Sequence, residues 1–128
     1  MKHTIATPKL DRIDLSHDGI AMFLGPTSTE VMQVLWDAPG TIKSVWTKLR
    51  RTKLFEDTMY TTIATTCNRL VDRGFLTRNN IASDGKPTFH FVPTMTEVEL
   101  TQFCIYFIIH RIQTSFNITN ADLIIILE

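Results

Sequence analysis

Hydroxyl and guanidinium groups are concentrated in one stretch of the chain, MYTTIATTCNRLVDRGFL, residues 59–76, which holds four threonines and two arginines. Threonine is a mediocre helix former, and an ordinary exposed helix carries Glu and Lys instead. A threonine hydroxyl donates or accepts a hydrogen bond, and its methyl group packs on a thymine methyl. Arginine is well suited to pair with phosphate. The stretch therefore has the side chains that contact with the base edges and backbone of DNA requires.

A helix over residues 58–73 would separate these polar groups from an apolar face. At 100° per residue, the apolar face consists of Met59, Ile63, Cys67, Leu70 and Val71. The opposite side consists of Thr61, Thr62, Thr65, Asn68, Arg69 and Asp72. Gly74 follows at a position where a left-handed residue ends a helix. An exposed helix that is only rich in locally bonded threonine is the alternative interpretation.

Two further helices and a hairpin are predicted around this helix. Thr27 and Glu30 form a Thr-x-x-Glu pair that predicts the start of a helix over 28–37, and Thr41 predicts the N-cap of a helix over 42–51. After Gly74, FLTRNN and PTFHFVP are typical of two strands, with an Asp-Gly hairpin signal between them. Three helices followed by a hairpin form a winged helix-turn-helix, whose later helix enters the major groove.

Charge is segregated along the chain, although the whole sequence has a net charge of zero. Residues 41–78 carry eight basic and three acidic residues, a net +5, between ends of −2 and −3. A solvated face would explain this block equally well, but a basic centre in a winged helix favours DNA. The predicted DNA-contacting residues are Thr41, Lys43, Lys53, Tyr60, Thr61, Thr62, Thr65, Arg69, Arg73, Arg78 and Lys86.

The C-terminal region is apolar to an extent that one domain cannot cover. A helix over 96–116, started by Thr96 and Glu99, has apolar side chains almost all round, so it must be covered on more than one side. We therefore predict a homodimer through Leu100, Phe103, Phe107, Ile108, Arg111 and Ile112. The run NADLIIILE is a short helix or a strand. The predicted fold is mainly α with a small β hairpin: an N-terminal extension (1–24), a winged helix-turn-helix domain (25–94) and a C-terminal dimerisation region (95–128).

Several classes of protein are disfavoured by the sequence. Its 128 residues suit one domain, without a signal peptide or a run long enough for membrane insertion. Two distant cysteines indicate reduced thiols and a cytoplasmic location. His3, His17, His90 and His110 lack metal spacing, and no glycine-rich phosphate loop or nucleophile motif occurs, so we predict no cofactor, no metal and no enzyme.

Three segments also carry a family pattern: LGPTSTEVMQVLW (24–36), YTTIATTCNRLVDRGFLTR (60–78) and a hairpin strand FHFVP (89–93). Over about residues 24–100 the chain resembles the penicillinase-repressor family of bacterial winged-helix regulators. The resemblance implies a homodimeric repressor that binds an inverted-repeat operator in double-stranded DNA. It also implies that Thr62 and Thr65 contact bases in the groove and that Arg69 binds the backbone.

The ends of the chain depart from that pattern. The N-terminal extension of about 20 residues is longer than usual, and the tail is shorter and more apolar. Without a cysteine-rich tail, copper sensing is disfavoured. In the antibiotic-responsive branch a membrane metalloprotease inactivates the repressor, so a membrane sensor-protease is an implied partner. Two alternatives stay open. One is a winged-helix protein-interaction module that does not bind DNA. The other is a ligand-sensing regulator of the multidrug-resistance type, with a pocket lined by Trp46, Phe103, Tyr106 and Phe107.

Overall fold

The computed structural model describes residues 8–82 and 85–128. In chain order its helices are α1, Ala21–Leu24; α2, Pro26–Asp37; α3, Ile42–Leu49; α4, Tyr60–Asp72; α5, Glu97–Phe116; and α6, Asn120–Leu127. A 3-10 turn, Lys53–Phe55, precedes α4, and an antiparallel hairpin of β1, Leu76–Asn80, and β2, Phe89–Pro93, separates α4 from α5. This order confirms the predicted winged helix. Asp84 of the predicted Asp-Gly turn and the first seven residues of the predicted extension lie outside the described residues.

Helices α2, α3 and α4 pack against one another and supply the centre of the core. Their inward side chains recur every three or four residues, as the face of an α-helix requires. The side chains with at most 2% exposure are Val31, Met32 and Leu35 on α2, Val45 and Leu49 on α3, and Ile63, Cys67 and Leu70 on α4. Phe75, Leu76 and Phe91 from the hairpin region add to this core, and each is at most 2% exposed.

Helix α4 ends where the sequence predicts. Gly74 has a φ of 87°, in the left-handed region that favours glycine. The amide of Phe75 donates to the carbonyl of Leu70 at 2.9 Å, and the amide of Gly74 donates to the carbonyl of Val71 at 3.0 Å. These two bonds form a Schellman motif, which satisfies the last carbonyls of the helix and turns the chain into β1.

Two predicted helix starts differ from the structure. Helix α2 begins at Pro26 after Gly25, whose φ is 82°, so the predicted Thr27 capping box does not form. Proline suits the first helical position because its missing N–H has no partner there in any case. Met59 is the N-cap of α4 and is 66% exposed, so its predicted place on the apolar face is wrong. The Thr41 cap and the Thr96–Glu99 capping box are confirmed.

The hairpin is attached to the helical core by its second strand. Residues 76–80 pair with residues 93–89, which places Arg78 opposite Phe91. Phe91 also forms a β-bridge with Gly40, donating to its carbonyl at 2.7 Å and accepting from its amide at 3.3 Å. A Cβ atom at residue 40 would lie 2.3 Å from the Ser44 hydroxyl, so the serine side chain would have to rotate away from its bond to the Thr41 carbonyl. The hairpin is thereby fixed to the loop between α2 and α3.

The core extends beyond the winged helix at both ends. Leu10, Ile20 and Phe23 from the N-terminal segment are at most 9% exposed, and they belong to the same buried cluster as the three helices. From α5, Leu100 is fully buried and Cys104 is 5% exposed in that cluster. The run 120–127, which the sequence left as a helix or a strand, is the helix α6, started by a Thr119–Asp122 capping box.

Candidate nucleic-acid interface

The outer face of α4 presents three of its four threonines. Thr61, Thr62 and Thr65 are exposed, on the side opposite Ile63, Cys67 and Leu70. Thr66 is 6% exposed, and its hydroxyl donates to the carbonyl of Thr62 at 2.8 Å. A buried threonine that bonds one turn back satisfies its own hydroxyl within the helix. The polar face therefore consists of three threonines, with a fourth that serves the core.

The start of α4 is held by α3. The indole N–H of Trp46 donates to the carbonyl of Thr58 at 2.8 Å, and its ring meets the Tyr60 ring edge-on at 5.5 Å. Tyr60 is 44% exposed, so its ring packs on Trp46 while part of the residue remains accessible. The side chain of Arg50 also packs on this indole, with its guanidinium carbon 4.8 Å from the centre of the Trp46 ring. These contacts position the first turn of α4 and its exposed threonines.

The N-terminal end of α2 lies beside the same face. A shallow cleft of about 320 Å³ is lined by residues 24–28 together with Thr62, Thr66 and Arg69. The first-turn amides of a helix have no partner within the helix and favour an anion. Arg69 is exposed and adds a positive charge at this place. The cleft thus combines the two features that bind a phosphate group of DNA.

On the other flank, the hairpin is tied to α4 by Asn68. Arg78 donates through Nη1 to the Oδ1 atom of Asn68 at 2.5 Å, and Asn68 donates through Nδ2 to the carbonyl of Ala64 at 3.0 Å. The Arg78 guanidinium also lies 4.9 Å from the centre of the Phe89 ring. Asn68 is a positioning residue that the predicted site omitted. Its signal in the sequence is its place on the threonine face, one residue before Arg69.

The other predicted basic residues are spread around this face. Lys43 in the first turn of α3, Lys53 in the 3-10 turn and Lys86 in the hairpin connection are all exposed. Thr41 is half-buried, and its hydroxyl accepts from the Ser44 amide at 3.2 Å as the cap of α3. Exposed basic groups outside the recognition helix are typical of residues that bind phosphates at the margins of a groove contact.

Arg73 is the exception among the predicted DNA-contacting residues. Its side chain is half-buried and is directed to the N-terminal segment, where Nη2 donates to the carbonyl of Lys9 at 3.1 Å and to that of Phe23 at 3.5 Å. The guanidinium also lies 5.1 Å from the centre of the Phe75 ring. In this conformation Arg73 does not lie with the exposed threonines.

Most of the predicted dimerisation residues lie on the side of α5 that faces their own chain. Leu100 is fully buried, and Phe103, Phe107 and Ile108 pack against the core, with Phe107 edge-on to Phe23 at 5.8 Å. Arg111 and Ile112 are exposed. The outward face has a different set at a 4-3-4 spacing: Ile105, Ile109, Ile112 and Phe116, exposed by 52%, 38%, 38% and 73%. We call these four residues the α5 stripe.

Helix α6 carries a second set of exposed apolar side chains. Ile124, Ile125, Ile126 and Leu127 are each at least 60% exposed. Monomeric proteins rarely leave large apolar patches exposed. The α5 stripe and α6 therefore have the character of a surface that another protein surface covers.

The structure does not assemble the predicted ligand pocket. Trp46 packs at the start of α4, whereas Phe107 packs on Phe23 and Tyr106 is 67% exposed and stacks on His110 at 5.9 Å. No group of three or more potential metal-binding side chains occurs among residues 8–82 and 85–128. In the same residues no helix is both long and apolar enough to cross a bilayer.

The two thiols are free and buried. Burial raises the pKa of the Cys67 thiol to about 12 and that of the Cys104 thiol to about 11. The thiolate is the nucleophilic form of cysteine, so both side chains are unreactive packing groups at neutral pH.

Comparison with known families matches residues 24–124 to the penicillinase repressor. Searches of curated proteins and of solved structures gave no match. The matched region includes the winged helix, α5 and the start of α6, and so covers most of the chain. The chain therefore belongs to the penicillinase repressor family of DNA-binding transcriptional repressors.

Proposed function

We propose that this protein is a sequence-specific repressor that binds an inverted-repeat operator as a homodimer. Residues 25–94 make the DNA contacts, and residues 95–128 hold the two copies together. The observation that carries the proposal is the face of α4, where Thr61, Thr62 and Thr65 are exposed on the same helix as Arg69 and as Asn68, the partner of Arg78. Short hydroxyl side chains allow the helix to approach base edges that longer side chains would keep at a distance.

The side chains divide between specificity and affinity. The threonine hydroxyls and methyl groups contact base edges in the major groove, where each base pair has its own pattern of donors, acceptors and methyl groups. Arg69 and the amide end of α2 bind one phosphate, and Lys43, Lys53 and Lys86 bind others along the backbone. Phosphate contacts fix the register of the protein on the duplex, but they carry no sequence information of their own.

The homodimer follows from the apolar surface at the C-terminal end. The α5 stripe has the 4-3-4 spacing of a helix seam, and a second copy of the same stripe is complementary to it under two-fold symmetry. A two-fold protein presents two copies of α4 in related orientations, so its operator is an inverted repeat. A membrane sensor-protease that ends repression stays a prediction of the family resemblance.

The proposal is tested by selecting bound duplexes from a pool of random DNA sequences and then measuring the affinity of the protein for the most enriched duplex. We expect an inverted repeat to emerge. If the dimer neutralises about 6 to 10 phosphates, its affinity should fall about a thousandfold or more between 50 and 200 mM salt. A pool that stays random, together with an affinity that does not respond to salt, would leave a protein-interaction module as the better assignment.

A further inference from the structure

The N-terminal segment lies before the family match, which begins at residue 24, yet it is built into the fold. Pro8 is buried, and Leu10 and Ile20, which are 7% and 9% exposed, belong to the chain's common core. The amide of Asp14 donates to the carbonyl of Met22 at 2.7 Å, which folds the segment back on itself. Residues 8–23 therefore form a segment before the matched region that has a defined place on the fold. We call this segment the N-terminal brace.

The N-terminal brace is hydrogen-bonded to Arg73, the C-cap residue of α4, in two directions. The amide of Lys9 donates to the carbonyl of Arg73 at 3.0 Å, and Arg73 returns a bond from Nη2 to the carbonyl of Lys9 at 3.1 Å. One residue of the brace is thus bonded through both its amide and its carbonyl by a single partner. The longer bond of Arg73 to the carbonyl of Phe23 attaches the end of α1 as well.

Arginine is suited to this junction for reasons that do not involve DNA. Its planar guanidinium has several donors in a fixed arrangement, so one side chain can bond two carbonyls on different segments while it stacks on an aromatic ring. Lysine has the same charge but lacks that geometry. A positive charge at the C-terminal end of α4 is also favourable to the helix dipole. Arg73 follows Leu70 by three residues and so lies at the margin of the inward side of the helix.

We propose that the N-terminal brace fixes the C-terminal end of α4 in its DNA-binding position, and that Arg73 is a positioning residue rather than a phosphate-binding residue. The inference rests on the proposed function, because the N-terminal brace affects DNA binding only if the protein binds DNA. Arg69 lies one turn before Arg73, and β1 begins three residues after Arg73. If the end of α4 is not fixed, both Arg69, which binds phosphate, and the hairpin are therefore displaced.

Two substitutions of the same residue separate the two roles. In full-length protein, Arg73→Lys keeps the charge and Arg73→Gln removes it. A positioning role predicts that both lower the affinity for the selected duplex, by about tenfold, since only the fraction of molecules with α4 in place can bind. It also predicts that neither changes the dependence of log affinity on log salt. A phosphate-binding role predicts that Arg73→Lys retains most of the affinity and that Arg73→Gln lowers the salt slope.

Reference variants calibrate these measurements. Arg69→Gln should lower the salt slope by about one for each phosphate that is no longer neutralised, hence by about two in a dimer. Arg12→Gln removes an exposed charge from the same segment and should leave both affinity and slope unchanged. Hydrogen exchange of the Lys9 amide is followed by NMR in every variant, without DNA. We expect this amide to lose protection in both Arg73 variants and to keep it in Arg12→Gln.

Three results would overturn the inference: a salt slope for Arg73→Gln that falls as in Arg69→Gln, full affinity in Arg73→Lys, or unchanged protection of the Lys9 amide. If Arg73→Gln fails to fold, Arg73→Lys and its exchange data still decide. A wild-type protein that binds no duplex would instead refute the proposed function, and the Lys9 amide would then report on the brace alone.

Discussion

The substitution Phe116→Ala should weaken the homodimer without destabilising the fold of each copy. Phe116 is 73% exposed at the end of the α5 stripe, so most of its surface is available to a partner. Full burial of such a side chain is worth about 1.5–3 kcal/mol, and roughly three quarters of that is about 1–2 kcal/mol. A two-fold interface loses the contribution twice, which gives about 2–4 kcal/mol, or a 30- to 1000-fold increase in the dissociation constant of the dimer.

Sedimentation equilibrium over a range of protein concentrations measures that constant directly. Leu54→Ala is the matched control, because Leu54 is an equally apolar side chain, 82% exposed, that lies in the 3-10 turn before α4 instead of on α5. We expect the control to dimerise as the wild type does. A monomeric wild type at micromolar concentration, or equal effects of both substitutions, would refute the assignment of the α5 stripe to the interface.

Three further predictions concern the stability and chemistry of the fold. Phe91→Ala should lower the free energy of unfolding in urea by about 3–5 kcal/mol, because Phe91 is fully buried and joins the hairpin to the helical core. A loss under about 1 kcal/mol, which is typical of surface substitutions, would contradict the central place of Phe91 in the core. The bond from the Thr96 backbone amide, and then that from its side chain, lower the pKa of Glu99 below its ordinary value of 4.5. The ionised capping box therefore stabilises the fold above that value, and its contribution is lost as the pH falls through the lowered pKa of the folded state. Thermal melting between pH 6 and 3 should accordingly be less pH-dependent in Glu99→Gln than in wild type, and parallel curves would show that the box contributes nothing. Finally, native protein at pH 8 should react with iodoacetamide far more slowly than unfolded protein, since burial raises the pKa of both thiols, and equal rates would contradict their burial.

The centre of the fold was predictable because its signals are local. The 3.6-residue period assigned Ile63, Cys67 and Leu70 to the core, and Gly74 marked the end of α4. Thr66 was not predictable as a buried residue, because threonine is polar. Its burial depends on the bond from its hydroxyl to the carbonyl of Thr62, which forms only once the helix has formed. Met59 was wrongly assigned to the apolar face of α4, because the apolar spacing begins at Met59 whereas the helix itself begins at Tyr60.

Contacts between distant segments account for the other differences. The start of α2 depends on Gly25 and Pro26, whose backbone preferences outweighed the Thr27–Glu30 pattern. In α5, apolar residues surround the helix, so periodicity alone could not distinguish the side that packs on its own chain from the α5 stripe. The bond between Arg73 and Lys9 joins residues 64 positions apart, and no local pattern predicts such a pair.

The exposed threonines of α4 carry the proposed recognition of DNA sequence, and the binding of Thr65→Val to DNA is its sharpest test. Valine keeps the shape and the methyl group of threonine but has a second methyl in place of the hydroxyl. Fluorescence anisotropy at one salt concentration compares this variant with wild type on the selected operator and on a random duplex, with Thr114→Val, an exposed threonine of α5, as the control. We predict a loss of about 1–3 kcal/mol on the operator, or about 5- to 150-fold, with almost no change on the random duplex. Equal losses on both duplexes, or unfolding of the variant, would show that Thr65 is structural and that α4 does not select the sequence through its hydroxyl groups.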